Sequence, residues 1–114
     1  MPKKRNIIHA TINAVDGLKE LICQKAARRE LILAVIAIGF FCYRPNVYTV
    51  LIAVLSLVLL AVEALNTAIE KLCDLITLEE HPEIKKIKDL GAAAVMIIVL
   101  AIALIFIRYL SPFF

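Results

Sequence analysis

Val47-Tyr48-Thr49-Val50-Leu51-Ile52-Ala53-Val54-Leu55-Ser56-Leu57-Val58-Leu59-Leu60-Ala61-Val62 contains no Gly, Pro or charge, and Glu63-Ala64-Leu65-Asn66-Thr67-Ala68-Ile69-Glu70-Lys71-Leu72-Cys73-Asp74 continues it without a breaker. On a helix turning about 100° per residue, Glu63, Asn66, Glu70 and Asp74 fall at roughly 0°, −60°, −20° and +20°. They form one narrow polar stripe on an otherwise apolar cylinder. An acidic side chain at bilayer depth costs on the order of 3 kcal/mol, against about 0.5 regained per Leu, Ile or Val. Carboxylates facing lipid would cancel most of what the apolar half gains. The stripe must therefore face protein, a water-filled cleft or a cation. A bilayer core is used up after roughly 20 helical residues. Asp74 and Glu70, with Lys71 beside them, thus also read as a solvated helix end, whereas Glu63 and Asn66 lie too early for that.

The rest of the composition agrees. The chain has 114 residues, 62% of them hydrophobic, with a mean hydropathy of +0.90. A soluble domain of this size would lack the polar surface to cover so much apolar side chain. The chain reads as a single integral membrane domain over residues 1–114, all-α in class. No short apolar core with a small-residue cleavage site follows Met1-Pro2-Lys3-Lys4-Arg5, so the N-terminus is expected to stay in the mature protein. A net charge of +3 is modest, and no nucleic-acid partner is expected. Cys23, Cys42 and Cys73 are odd in number and lack metal-ligand spacing, so they read as small buried hydrophobes.

Upstream, residues 6–24 place Ile7, Ile8, Thr11, Ala14, Val15, Leu18, Leu21 and Ile22 on one face, with Asn6, His9, Asn13, Asp16, Lys19 and Glu20 around the rest. With Lys3, Lys4 and Arg5 ahead, this pattern predicts an amphipathic helix lying on an anionic membrane surface. Gly17 in its middle marks either a close contact or a bend. Lys25, Arg28 and Arg29 make a basic collar, and Glu30 is the last charge before Leu31–Tyr43. Arg44-Pro45-Asn46 is a turn, with Asn46 suited to cap the next helix. That helix runs from Val47 to Ile76. A polar loop containing Pro82 as a breaker follows, in which Thr77 and Glu80 could also cap a short helix. The small run Gly91–Ala94 suits close packing of a last helix. Spans are predicted near 26–43, 47–70 and 88–108, with Arg108, Tyr109 and Pro112-Phe113-Phe114 as an interfacial anchor.

Basic residues near the membrane ends set the orientation. Lys3, Lys4, Arg5, Lys19, Lys25, Arg28 and Arg29 precede the first span, and Lys71, Lys85, Lys86 and Lys88 lie between the second and third. Only Arg44 and Arg108 fall on the opposite side. The N-terminus and the 77–89 loop are expected in the cytoplasm, together with the acidic stripe.

The cytoplasmic ends thus gather carboxylates, one amide and several cations at the boundary of water and lipid. Carboxylates bind Mg²⁺, and Mg²⁺ with Lys or Arg binds a triphosphate. A remaining carboxylate can take a proton from an attacking hydroxyl. Phosphoryl transfer to a lipid alcohol is one reading, and an ion or proton pathway lined by carboxylates is the other.

Resemblance decides between them. Glu63-Ala-Leu-Asn66-Thr67-Ala68-Ile69-Glu70-x-x-x-Asp74 resembles the signature of the prokaryotic diacylglycerol kinase family, integral-membrane lipid kinases that include undecaprenol kinases. His81-Pro82 and Lys88-Asp89-Leu-Gly91-Ala-Ala-Ala-Val resemble its second block. Gln24-Lys-Ala26-Ala27-Arg28-Arg-Glu30 resembles a third that usually reads Glu-x-Ala-Phe-Arg-x-Glu. The similarity spans about Asn6 to Ile107.

The resemblance implies a bacterial inner-membrane enzyme that moves the γ-phosphoryl of ATP, with Mg²⁺, to a lipid hydroxyl. It implies Glu63 as catalytic base and Glu70 as metal ligand. Asn66, Glu79, His81, Lys88 and Asp89 would bind the nucleotide, and Arg28 and Glu30 would structure the cleft. It also implies a homotrimer with helices exchanged between subunits. Two positions depart from the family pattern: Gln24 stands where a second metal-binding carboxylate is usual, and Ala27 where Phe is usual. A neutral Gln carbonyl would hold Mg²⁺ less tightly, and Glu20, four residues earlier on the same predicted helical face, is the substitute ligand. Arg-x-Glu-Leu at 28–31 and Leu-Gly-Ala at 90–92 look like the branch that phosphorylates diacylglycerol, with undecaprenol as the alternative acceptor.

Overall fold

The computed structural model describes residues 6–111. The described residues form four α-helices and no strand: α1 Ile7–Ile22, α2 Lys25–Tyr43, α3 Val47–Ile76 and α4 Pro82–Leu110. Lys3, Lys4 and Arg5 of the basic N-terminus and Pro112-Phe113-Phe114 of the anchor lie outside the described residues.

Asn46 starts α3 as its composition predicts. Its backbone is extended, its Oδ1 accepts from the backbone N–H of Tyr48 (2.9 Å) and of Thr49 (3.0 Å), and Thr49 Oγ1 accepts from the Asn46 N–H at 3.0 Å. This reciprocal cap satisfies three donors that the helix cannot, and such caps contribute about 1 kcal/mol. Pro82 does not merely break the chain. It begins α4, where its missing N–H costs nothing, behind His81 as the N-cap. Thr77 closes α3, and no short helix intervenes before Pro82.

The core is a seam of small residues. Along α3 the buried positions are Thr49, Ala53, Ser56, Leu59, Glu63, Asn66 and Cys73, spaced mostly three and four apart. On the helices packed against it the buried residues are Ala27, Ala34 and Ala37 of α2 and Gly91 of α4. Small side chains let helix backbones approach closely, which is how helices associate where lipid removes the hydrophobic drive between them. Ser56 ties its hydroxyl back to Ile52 O at 2.7 Å, so it brings no unpaired donor into the seam. Helix α3 packs against both α2 and α4, while α1 rests lightly on α2.

Beyond this seam the helices present apolar side chains outward, among them Ile32, Val35 and Ile36 on α2, Leu51, Val54 and Leu57 on α3, and Met96, Ile97, Leu100 and Leu104 on α4. So continuous an apolar exterior belongs against lipid or neighbouring helices rather than water. By length and composition α3 and α4 can each cross a membrane, with hydropathies of 2.4 and 3.1. Helix α2 begins as predicted but is not among them, because Arg28, Arg29 and Glu30 fill its first turns and only Leu31–Tyr43 is free of charge.

Helix α1 has no buried residue. Its apolar stripe is uncovered by the chain itself, with Ile7 85% and Ile8 69% exposed, as a helix lying on a membrane surface requires. Gly17 marks neither of the features expected: the helix runs through it, and nothing lies within 4 Å of where its side chain would be. The bend falls later. Cys23 ends α1, and Gln24 is extended (φ −87°, ψ 131°) before α2 begins. Glu20 and Gln24 are therefore not on one continuous helix, as the shared-face argument assumed. Of the cysteines, Cys73 is buried, but Cys23 and Cys42 are exposed.

Candidate functional site

Thirty residues give α3 a length of about 45 Å, half as long again as a hydrocarbon core of about 30 Å. Counted from Val47, Glu63 and Asn66 fall at the far boundary of that core, and Glu70 and Asp74 beyond it. The side chains follow this division: Glu63 and Asn66 are each 8% exposed, whereas Glu70 and Asp74 are exposed.

The first group of predicted residues comes together where α2, α3 and α4 meet. Asn66 Nδ2 donates to Glu70 Oε1 at 3.2 Å, one helical turn on. The charges acting on Glu63 come from Glu30, Glu70 and Arg29, so two helices bring carboxylates to one place. Glu30 is half-buried, with Oε2 lacking a hydrogen-bond partner, and Asn66 Oδ1 is likewise buried without one. Arg28 lies exposed one turn from Gln24, whose side chain makes no cap bond although Gln24 is the N-cap of α2. Among the described residues, no three or more His, Cys, Asp or Glu are grouped to hold a metal by themselves. Mg²⁺ does not need such a cage, since it usually takes one or two carboxylates and completes its shell from water and phosphates. The donors at hand are hard oxygens, with Glu70 Oε2 outside the bond to Asn66. That chemistry fits Mg²⁺.

The second group lines a cleft of about 650 Å³ under the α3–α4 connection, bordered by Thr77, Glu79, His81, Lys88 and Asp89. Its loop is built by local bonds. Glu79 N–H donates to Thr77 Oγ1 at 3.0 Å, and Glu83 N–H to His81 Nδ1 at 3.1 Å, which requires Nδ1 to be unprotonated. Asp89 is paired with Lys85 at 2.7 Å.

Lys88 links the two groups. It lines the cleft, donates to Asp74 Oδ1 at 2.8 Å, and lies within the electrostatic reach of Glu70. Asp74 stands in the polar stripe, where residue spacing assigns it no role beyond a solvated helix end. Its partner on another helix could not be read from spacing.

Glu20, the substitute ligand that the resemblance suggests, lies on α1. It accepts from Lys71 Nζ at 2.8 Å, tying α1 to α3 across 51 residues of sequence. That bond, with the Lys71 charge, holds the Glu20 carboxyl below its ordinary range. Lys71 stands beside the helix end in the sequence, and no local signal predicts the pairing.

Comparison with known proteins follows the same residues. A family model described as prokaryotic diacylglycerol kinase matches residues 12–110. A diacylglycerol kinase of Sinorhizobium sp. is 36% identical over 105 residues, covering 85% of this chain and 72% of its own length. Those of Pseudomonas aeruginosa and Haemophilus influenzae are each 34% identical, the first covering 79% of this chain and 76% of itself, the second 81% and 80%. With nearly the whole described chain inside the family match, the protein belongs to the prokaryotic diacylglycerol kinase family, a family of membrane phosphotransferases.

Proposed function

We propose that the protein transfers the γ-phosphoryl of ATP to the hydroxyl of 1,2-diacylglycerol in the bacterial inner membrane. The observation that carries this reading is a buried carboxylate, Glu63, set at the boundary of the apolar part of α3 beside Asn66 and Glu70. A lipid hydroxyl resides at that depth and a nucleotide does not. Glu63 is the residue on the lipid side, and the exposed Glu70, Lys88 and the α3–α4 cleft are on the water side. The three relatives all carry the name diacylglycerol kinase, which favours diacylglycerol as acceptor.

In this reading Glu63 accepts the hydroxyl proton as the oxygen attacks, a role worth about 10²–10⁴ in rate. Asn66 holds Glu70. Lys88 contributes a point charge to the phosphates, and Asp89, Glu79 and His81 face the adenosine end. Arg28 and Glu30 shape the cleft from α2. Mg²⁺, when bound, neutralises phosphate charge, and Glu70 with Gln24 would hold it. Three spans, with α2 as the first, put the N-terminus and the 77–89 loop on the cytoplasmic side, where ATP is available. A homotrimer would bring a neighbour's helices against the apolar exterior.

The test is incubation of the purified protein with labelled ATP, Mg²⁺ and each lipid alcohol, followed by lipid separation. Label in phosphatidic acid is expected. Label only in undecaprenyl phosphate would replace the acceptor, and no label in any lipid would overturn the reading.

A further inference from the structure

The Asn66 carboxamide is tied on one side and boxed in on the other. A carboxylate can only accept, so the bond to Glu70 fixes which end of the amide is Nδ2 and turns Oδ1 away. Oδ1 then faces Gly91 of α4. A Cβ at Gly91 would collide with Oδ1 and would sit 3.3 Å from Cγ and 3.9 Å from Cβ of Asn66. At Gly17 and Gly39 nothing lies within 4 Å of the corresponding position. Only at position 91 is the missing side chain occupied by a neighbour. Glycine inside a helix is less favourable than alanine. Ala92, Ala93 and Ala94 follow directly, so alanine suits this stretch of α4 everywhere except at the one residue that meets Asn66. The Cα hydrogen standing in the place of a Cβ points toward Oδ1, the weak contact by which closely packed helices ease a carbonyl oxygen.

We propose that Gly91 is a positioning residue for phosphoryl transfer: its lack of a side chain lets the Asn66 carboxamide lie against α4, which holds Nδ2 on Glu70 next to Glu63. This rests on the lipid-kinase reading above. An alanine at 91 would push the carboxamide off Glu70 while leaving the helix itself a better helix former. Lateral displacement of a catalytic group by about 1 Å can cost on the order of 100-fold in rate.

The experiment is a double-mutant cycle on Gly91→Ala and Asn66→Ala, read both by lipid phosphorylation against free Mg²⁺ and by thermal unfolding in detergent. Gly91→Ala is expected to lower turnover by about 100-fold and to raise the Mg²⁺ needed for half-maximal rate. In the Asn66→Ala background, where no carboxamide is left to displace, adding Gly91→Ala should change rate and Mg²⁺ dependence by less than about twofold. The unfolding temperature lost in Gly91→Ala should return in the double variant. A helix-packing role alone would give equal losses in both backgrounds, and that result overturns the proposal, as would near-normal activity of Gly91→Ala. If Gly91→Ala does not accumulate, accumulation of the double variant at the level of Asn66→Ala supports the proposal and its failure overturns it. If the wild type phosphorylates no lipid, the functional reading fails on its own, and the unfolding cycle still decides whether Gly91 acts through Asn66.

Discussion

Lys88 of α4 reaches across to Asp74 of α3, Nζ to Oδ1 at 2.8 Å, with the two side chains 40% and 51% exposed. Exposed pairs of this kind contribute little, because water screens them and two long side chains lose freedom. The pair therefore does little to hold α3 to α4, which the small-residue seam already does. It keeps a cation at the mouth of the cleft, between Glu70 and the 77–89 loop. Lys88→Met is accordingly expected to raise the KM for ATP about tenfold, the effect of losing one phosphate contact, with the unfolding temperature nearly unchanged. A large drop in unfolding temperature with ATP KM unchanged would make Lys88 a structural residue only.

Glu63 and Glu70 lie two helical turns apart on one face, but one is buried and the other exposed. Their defects should separate. Glu63→Gln is expected to lower kcat by about 10²-fold or more with little change in ATP KM, since a proton acceptor acts only as the bond forms. Glu70→Gln should raise the ATP KM and recover part of its activity at high Mg²⁺. If Glu63→Gln keeps near-normal turnover, proton acceptance belongs to another group.

The Glu20–Lys71 pair gives α1 a dependence on pH and salt. Glu20 has its pKa lowered by the hydrogen bond and charge of Lys71. A carboxyl with a depressed folded-state pKa contributes stability that is full above its ordinary value of 4.5 and disappears as pH falls through the lowered value. Docking of α1 onto α3 should therefore be constant from pH 6 to 8 and loosen only in acid. A distance measured between spin labels at Asn13 and Leu65 should lengthen below about pH 4 and at high salt, and Glu20→Gln should lengthen it at neutral pH. An unchanged distance in Glu20→Gln would mean that the membrane surface alone holds α1 in place.

How much of this was legible in the sequence depended on whether the controlling interaction was local. Asn46 and Thr49 cap α3 within four residues, so that boundary follows from residue types in order, whereas Pro82 is legible only as a breaker and the structure adds that it opens α4 behind His81. The burial of Glu63 and Asn66 follows from helical periodicity and the cost of charge in lipid. The break at Cys23–Gln24 lies close to the division between the amphipathic helix expected over 6–24 and the span expected from 26, but Lys19 to Ala27 contains neither Gly nor Pro to fix which residue leaves the helix. The pairs Glu20–Lys71, Asp74–Lys88 and Asn66–Gly91 each join different helices, and sequence spacing carries no information on which faces meet.

That break sharpens the question of the missing carboxylate at Gln24. If Glu20 were the substitute metal ligand, it would have to sit one turn before Gln24 on a shared face and have its carboxylate available. The first condition fails, since Gln24 is extended beyond the end of α1, and Glu20 already has one carboxylate oxygen on Lys71. Gln24 itself is half-buried at the start of α2, at the head of the helix that carries Arg28 and Glu30, and its side chain caps nothing. Gln24→Glu is therefore expected to lower the Mg²⁺ needed for half-maximal rate, because an anionic oxygen there strengthens the hold on both Mg²⁺ and Mg²⁺-ATP. Glu20→Gln should leave that Mg²⁺ requirement where it was, and should act instead on the docking of α1. The measurement is lipid phosphorylation against free Mg²⁺ for the wild type and both variants. A Mg²⁺ curve shifted by Glu20→Gln and not by Gln24→Glu would reverse the assignment. If neither moves the curve, α2 supplies no ligand and Glu70 is the chain's contribution to the metal.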